Sequence, residues 1–350
     1  MCKKVLFITN YILKYRESFF NELQKYLDVN VICLQDSNVD NRVNDTKGDN
    51  CITFDKQTFG STILNKVSFN ISSLSKVDFD NYEYVVISDN VPNFIDMLYI
   101  SNKVHKEKLY LWSEVSFYSM YPYSFSTKFI HKFLFNRLVR KVDNIISFNE
   151  VCFNLLEEKL EGKNVIRAFQ SHDYSFELIK RPFNHGNRIK VGFIGYFSER
   201  KGLSKFFSLF DNIDVDFYIA GTGDKKIVDQ VKSEVSNRNN VHYLGFVTAD
   251  SKIQFYSSID FLVVPSLFEP WGLVVNEAIR FGVIPIVSSG VLSKEILKEE
   301  LIFQDDLVEK FNLLVSKSPT EIDTLKTELQ SNILKYTIDY SAKNFYEVLL

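Results

Sequence analysis

Residues 268–278 read FEPWGLVVNEA and contain two carboxylates, Glu269 and Glu277, eight positions apart. The run FLVVPS at residues 261–266 precedes them and is typical of a buried parallel strand. The pattern after Gly272 is helical and leads to a second apolar run. The sequence therefore predicts a unit of strand, tight loop, helix and strand, with the first carboxylate in the loop and the second on the helix.

The spacing of the two carboxylates limits what they can bind together. At a rise of about 1.5 Å per residue, a helical separation of eight residues spans roughly 12 Å. The helix is expected to begin near Gly272, where unpaired N–H groups and the positive end of the dipole favour an anion. A ligand with hydroxyl groups at both ends and an anion between them has the layout of a sugar nucleotide.

The run SLFEPWGLVVNEA, residues 266–278, resembles the E-x(7)-E signature of the retaining glycosyltransferases of family four, which have the GT-B fold. The shared features are the Pro, the aromatic residue, the Gly-Leu pair and the Glu-Ala end. The resemblance implies that Glu269 lies beside the transferred sugar as a catalytic residue and that Glu277 hydrogen-bonds the ribose. The backbone amides that it implies for the diphosphate are those of Gly272, Leu273 and Val274. The alternative is an amphipathic helix with solvated glutamates.

Composition narrows the class of protein. A length of 350 residues favours two domains, and a hydrophobic content of 45% is sufficient for buried cores. The net charge of −3 argues against general nucleic-acid binding. The four cysteines show neither metal-ligand nor disulfide spacing, and no apolar run is long enough to span a membrane. We therefore expect a cytoplasmic protein, with peripheral attachment at the inner face of the membrane as a second expectation.

Alternating strand and helix patterns predict an α/β fold. The apolar run at residues 4–10, the amphipathic pattern at 15–27 and the apolar run at 29–34 are typical of the start of a doubly wound sheet. With the resemblance, this predicts a GT-B fold of two Rossmann-like doubly wound domains that face a crevice. The expected boundaries are 1–170 for an N-terminal acceptor domain, 171–187 for the linker, 188–336 for a C-terminal nucleotide-sugar donor domain, and 337–350 for a C-terminal helix that packs back on the N-terminal domain.

Further loops in the second half resemble donor-binding loops of the family. A strand that ends at Gly195 is followed by Arg200 and Lys201, where relatives place cations on the diphosphate. These two cations would also stabilise the leaving nucleoside diphosphate, although solvated loop residues are the alternative. Gly221 resembles the first glycine of the family's G-x-G loop. Phe246 is expected to form an apolar wall for the nucleobase.

Acceptor-side residues are expected in the first half from the order of the elements alone. Arg16 follows the loop after the first strand, and Glu114 follows the strand predicted at residues 109–112. In the family, the end of this latter strand faces the acceptor. A solvated loop glutamate is the alternative for Glu114.

The stretch STKFIHKFLFNRLVRK, Ser126–Lys141, combines apolar and basic residues without an acidic one. This composition is typical of a helix that lies on an anionic membrane surface. The alternative is a helix that covers the sheet, and the two interpretations are compatible. The apolar residues expected on one broad face are Phe129, Ile130, Phe133, Leu134, Leu138 and Val139.

The sequence therefore predicts a retaining glycosyltransferase that moves a sugar from a UDP- or GDP-sugar to a hydroxyl group of a cell-surface glycan or lipid-linked acceptor. No metal or other cofactor is expected. Asp214 and Asp216 form an Asp-x-Asp, but they lie at the amino end of a predicted strand and are expected to be structural. Two alternatives stay open, namely a nucleotide-sugar epimerase of the same fold and a non-catalytic two-domain sugar-binding protein.

Overall fold

The computed structural model describes residues 2–10, 12, 14–35, 55–59, 62–64, 67–89, 93–113, 125–169, 177–183 and 188–350. The chain divides into two units. Unit 1 comprises Met1–Tyr174 together with Tyr336–Leu350, and unit 2 comprises Ser175–Lys335. Each unit contains a parallel sheet with buried strands and covering helices.

Strands and helices alternate along most of the chain. The strands are β1 (Lys4–Thr9), β2 (Asp28–Cys33), β3 (Asp55–Thr58), β4 (Thr62–Leu64), β5 (Val67–Phe69), β6 (Tyr84–Ser88), β7 (Leu109–Ser113), β8 (Asn144–Ser147), β9 (Asn164–Arg167), β10 (Lys190–Ile194), β11 (Asp216–Ala220), β12 (Val241–Gly245), β13 (Phe261–Val264), β14 (Ile284–Ser288) and β15 (Ile302–Phe303). The α-helices are α1 (Lys14–Leu23), α2 (Ile71–Leu74), α3 (Phe94–Lys103), α4 (Phe125–Val139), α5 (Glu150–Lys159), α6 (Leu203–Phe207), α7 (Lys225–Asn237), α8 (Ala249–Ser258), α9 (Leu273–Arg280), α10 (Leu307–Val315), α11 (Pro319–Asn332) and α12 (Ile338–Leu349).

The sheet of unit 1 has, within the described residues, seven parallel strands in the order β3-β2-β1-β6-β7-β8-β9. The strand order reverses between β1 and β6, which are neighbours although β2 to β5 lie between them in the chain. Runs of β-branched and aromatic residues such as KVLFIT in β1 favour these strands, because both faces of a parallel sheet are covered. The short strands β4 and β5 form a separate antiparallel pair.

The C-terminal helix α12 belongs to the core of unit 1. The ring centroid of Phe345 lies 5.6 Å from those of Phe7 and Phe19 and 5.5 Å from that of Trp112. Burial of an aromatic side chain of this kind contributes about 1.5–3 kcal/mol to stability. The last helix therefore closes the sheet face formed by β1 and β7.

Helix α4 divides its apolar residues between two faces, which corrects the single face predicted from the sequence. Phe135, Leu138 and Val139 are buried in the core of unit 1. Phe129 and Phe133 are instead 66% and 56% exposed. Five residues correspond to about 140° around a helix, so Phe133 and Leu138 cannot share a narrow face. Among the helices that the structure describes, α4 included, none is long and apolar enough to cross a bilayer.

The sheet of unit 2 has six parallel strands, counted over the residues described, in the order β12-β11-β10-β13-β14-β15. Its strand order reverses between β10 and β13, where Val191 pairs with Phe261. The loops that follow these two neighbouring strands therefore leave the same edge of the sheet side by side. This edge is where ligands bind in open α/β sheets.

Residues 177–183, part of the predicted linker, are held along unit 2. The N–H group of Ile179 donates to the carbonyl of Arg280 at 2.9 Å, and the ammonium of Lys326 donates to the carbonyl of Arg181 at 3.0 Å. Burial is the main cause that lowers the pKa of Lys326. This part of the predicted linker therefore belongs structurally to unit 2, whereas the remainder lies outside the described residues.

Candidate active site

The loop after β10 carries two cations at the reversal point of the unit 2 sheet. Arg200 and Lys201 lie in a single 3-10 turn, which ends at Gly202 with a φ of 64°. A Cβ atom on Gly202 would lie 2.0 Å from the carbonyl oxygen of Pro265, at the end of β13. The N–H group of Leu267 also donates to the carbonyl of Arg200 at 2.8 Å. Because only glycine fits this contact, the backbone of the cation loop lies directly against the chain that leads to Glu269.

Both cations bind the same carboxylate. Arg200 Nη1 lies 3.0 Å and Lys201 Nζ 2.5 Å from Oε2 of Glu269. Arg200 also donates to the carbonyl of Phe268 at 2.7 Å. The three charged side chains are half-buried, so the cluster is partly shielded from water and still open to solvent. Two positive charges and one negative charge leave a net positive site that favours an anion.

The backbone of Glu269 is fixed by the neighbouring loop after β14. Its N–H group donates to the carbonyl of Gly290 at 3.0 Å, and its own carbonyl accepts from the N–H group of Leu292 at 3.0 Å. These two hydrogen bonds form an isolated parallel β-bridge between Glu269 and Val291. The position of the carboxylate is therefore determined by β13 and β14 together.

Helix α9 begins beside this cluster. Gly272 is its N-cap, with a φ of 91°, and no side chain caps the helix among the residues that the structure describes. Its first turn contains no acidic residue, so the N–H groups of this turn and the positive end of the dipole favour an anion. Trp271 Nε1 donates to Oδ1 of Asn276 at 2.9 Å, which ties the preceding loop to the helix.

The second carboxylate is buried and paired across two helices. Glu277 is 4% exposed. One of its oxygens accepts a hydrogen bond from the ammonium of Lys252, and the other accepts from the hydroxyl of Tyr256 at 2.5 Å. Both donors lie on α8. Sequence analysis missed them, although a polar pair four residues apart on the helix before β13 is a signal that could have indicated them.

The glycine-containing loops that are predicted to bind the donor are joined through their backbones. The N–H group of Gly195 donates to the carbonyl of Ala220 at 3.1 Å, and that of Gly221 donates to Gly245 at 2.7 Å. These contacts align the loops after β10, β11 and β12. Phe246 follows directly and its ring is about half exposed, so it is accessible to a ligand.

The predicted acceptor-side residues belong to unit 1. Arg16 is buried, and its guanidinium carbon lies 4.6 Å from the ring centroid of Trp112. Glu114 lies outside the described residues. Of the predicted donor-side residues, the structure brings Arg200, Lys201 and Glu269 into direct contact within unit 2. It places Arg16 beside the end of β7.

Metal ligands do not cluster in the part of the chain that the structure describes: no three or more His, Cys, Asp or Glu residues are arranged to hold an ion. The Asp-x-Asp pairs with Arg188, whose guanidinium lies 2.5 Å from Asp214 and 2.8 Å from Asp216. This ion pairing agrees with the structural role expected for the two aspartates.

Comparison with known proteins links the second half of the chain to a family. Residues 175–322 match the family model described as Glycosyl transferases group 1. An uncharacterized glycosyltransferase of Methanocaldococcus jannaschii is 32% identical over an alignment of 167 residues. The match covers 43% of this chain and 42% of that protein. The chain thus spans less than half of the length of this curated relative. The matched range, residues 175–322, contains Arg200, Lys201, Glu269 and Glu277.

Solved structures show the same fold over nearly the whole chain. The apo form of the lipopolysaccharide outer core galactosyltransferase WaaB is 16% identical, with a TM-score of 0.72 and 99% of both chains covered. HepE of Anabaena in complex with UDP-glucose is 12% identical, with a TM-score of 0.72 and the same coverage. These matches confirm the predicted fold class, in which two Rossmann-like parallel-sheet domains form a GT-B protein.

Proposed function

We propose that the protein is a retaining glycosyltransferase that moves a sugar from a nucleoside-diphosphate sugar to a hydroxyl group of a cell-surface glycan or lipid-linked acceptor. The observation that carries the proposal is the Arg200–Glu269–Lys201 cluster at the reversal point of the unit 2 sheet. The site has three parts that suit such a donor. An anion site suits the diphosphate, the carboxylate beside it suits the transferred sugar, and the second carboxylate, on the following helix, suits the ribose.

Each part of the donor then has a partner in unit 2. Arg200 and Lys201 bind the diphosphate together with the N-terminus of α9. Glu269 orients the hydroxyl groups of the transferred sugar, and Glu277 accepts hydrogen bonds from the ribose. Phe246 covers one face of the nucleobase. The complex of HepE with UDP-glucose supports a nucleotide sugar as the class of donor, with UDP and GDP both open for this chain.

The chemistry follows from where charge develops. The bond between the anomeric carbon and the diphosphate oxygen breaks while a bond to the acceptor oxygen forms on the same face of the sugar. The proton of the acceptor hydroxyl passes to the departing phosphate oxygen, so no protein base is required. Arg200 and Lys201 stabilise the negative charge that grows on the diphosphate. Because these cations and the α9 N-terminus supply positive charge, the proposed transfer proceeds without a metal ion.

A donor labelled in its sugar distinguishes this proposal from its two alternatives. The protein is incubated with labelled UDP- and GDP-sugars, with and without glycan and lipid-linked acceptors. Label that moves onto an acceptor with retained anomeric configuration supports the proposal. Conversion of the donor into another nucleotide sugar without an acceptor favours the epimerase, and a donor that is bound but unchanged favours a binding protein.

The exposed face of α4 gives the proposed enzyme a way to reach lipid-linked acceptors. Phe129 and Phe133 lie on the same exposed face as Lys132, Arg137 and Arg140. Exposed aromatic rings bordered by basic residues favour an anionic lipid surface, where the rings enter the interface and the cations meet phosphate groups. We therefore propose that the protein acts at the cytoplasmic face of the membrane.

We expect the variant Phe129→Ser/Phe133→Ser and the variant Lys132→Ser/Arg137→Ser/Arg140→Ser each to lose most binding to anionic vesicles. Each basic residue near such a surface contributes about 1 kcal/mol, so the triple variant should bind at least tenfold less. Co-sedimentation with vesicles that contain phosphatidylserine measures this. The control replaces Lys225 and Lys226, exposed residues of α7, by Ser. Undiminished sedimentation of both α4 variants would rule out this helix as the membrane contact.

A further inference from the structure

Helix α8 presents two side chains to the buried carboxylate of α9. Lys252 and Tyr256 are four residues apart and therefore lie on one face of α8. Lys252 donates to Oε1 of Glu277, and the hydroxyl of Tyr256 donates to Oε2 at 2.5 Å. The two oxygens of the carboxylate thus have different donors, and this arrangement fixes the plane of the carboxylate as well as its position.

The two donors differ in their surroundings. Tyr256 is buried, and its ring stacks on Phe281 with centroids 5.5 Å apart and an interplanar angle of 13°. Its hydroxyl is therefore held at a fixed place. The Lys252 side chain is about one quarter exposed, so its ammonium lies at the border between the protein interior and solvent. Helix α8 itself is anchored by a capping box between Thr248 and Ser251.

This pairing stabilises the buried charge of a carboxylate that has to bind neutral hydroxyl groups. A buried unpaired charge is costly, and the ammonium of Lys252 offsets that cost for Glu277. A carboxylate has about four lone-pair positions, so one bond to each oxygen does not by itself use up its capacity as an acceptor. A neighbouring diol can then donate to an acceptor whose orientation is already set, which reduces the entropy that binding must offset.

We propose that Lys252 and Tyr256 are positioning residues that hold Glu277 for the two ribose hydroxyls, and that they thereby determine the preference of the site for ribonucleotides over deoxyribonucleotides. This inference rests on the proposed function, because it takes Glu277 as the ligand of the ribose. Both residues act on the nucleotide through Glu277. Their effect is on how much the 2′-hydroxyl contributes to affinity.

The test compares a nucleoside diphosphate with its 2′-deoxy analogue. Calorimetry measures the Kd of UDP and GDP and of dUDP and dGDP for the wild type, Lys252→Met, Tyr256→Phe and Lys252→Arg. A hydrogen bond to a charged group corresponds to roughly tenfold or more in Kd, so the wild type should prefer the ribonucleotide by about that factor. In Lys252→Met and Tyr256→Phe, ribonucleotide affinity falls about tenfold, and the ratio approaches one. Lys252→Arg keeps most of the preference of the wild type for the ribonucleotide.

Gln254→Met is the matched control, because Gln254 is exposed on the same helix. It should bind both nucleotides as the wild type does. Tyr256→Phe removes only a hydroxyl group, so it keeps the test valid if Lys252→Met fails to fold. Variants with weaker binding but an unchanged ribo-to-deoxyribo ratio would show a purely structural role and overturn this inference alone. A folded wild type that binds none of the four nucleotides would overturn the proposed function as well.

Discussion

The substitution Glu269→Gln is expected to lower kcat of sugar transfer by about 10²–10³-fold while the free nucleoside diphosphate binds more tightly. The loss in rate follows because the carboxylate beside the sugar contributes electrostatic stabilisation that an amide cannot supply. The gain in affinity follows from the ion cluster. Glu269 occupies Arg200 and Lys201, and removal of its charge leaves both cations available to phosphate.

Steady-state kinetics and calorimetry measure these opposite effects on the same protein. The control is Glu199→Gln, since Glu199 is an exposed carboxylate in the same 3-10 turn. It should change neither kcat nor the affinity by more than about twofold, as surface substitutions have small effects. An unchanged kcat in Glu269→Gln would contradict the role of Glu269. A weakened affinity for the nucleoside diphosphate would contradict the competition between carboxylate and phosphate.

Replacement of Arg200 or Lys201 is also expected to lower the rate of sugar transfer strongly. Arg200→Ala and Lys201→Ala are each expected to lower kcat/KM by about 10–10²-fold, because each removes a charge-assisted bond to the diphosphate. The double variant should lose less than the product of the two, since both cations bind one ligand and one carboxylate. Arg200→Lys should recover only part of the activity, because an ammonium cannot make the paired contacts of a guanidinium.

Initial rates at varied donor concentrations separate the contribution of each cation to donor binding from its contribution to the transfer step. A rise in KM alone indicates that a cation binds the ground state, and a fall in kcat indicates that it stabilises the leaving group. Lys205→Ala is the control, because Lys205 lies on the adjacent α6 and pairs with exposed Asp305 at 3.0 Å. Activity of the double variant equal to that of the Lys205→Ala control would show that these cations have no role in transfer.

The sequence predicted the sheets well because their signal is local. Apolar runs such as FLVVPS mark buried strands, and the loops after them were expected to hold the charged residues at one sheet edge. The pairing of Glu269 with both cations was not predicted. It depends on β10 and β13 being neighbours, which joins residues more than sixty positions apart. Strand order of this kind is a property of the whole fold.

Two other differences between the sequence predictions and the structure also arise from tertiary packing. Composition indicated an apolar and basic α4, but it could not tell which of its apolar residues cover the sheet. Phe129 and Phe133 were therefore grouped on one face with residues that the structure buries. Lys252 and Tyr256 were missed because the relative rotation of α8 and α9 decides whether they reach Glu277. In each case the sequence identified the chemical character of the side chain, whereas the packing of the helices determined which residues it contacts.

The nucleotide-sugar site in unit 2 is tested most directly by the thermal unfolding of the wild type and of Glu277→Ala in the presence of a panel of UDP- and GDP-sugars. A donor at 100 times its Kd stabilises the folded state by about 2.7 kcal/mol. At least one nucleotide sugar is expected to raise the unfolding temperature of the wild type, and the rise should be smaller for Glu277→Ala. A folded wild type whose unfolding temperature changes with none of them would contradict a nucleotide-sugar site in unit 2.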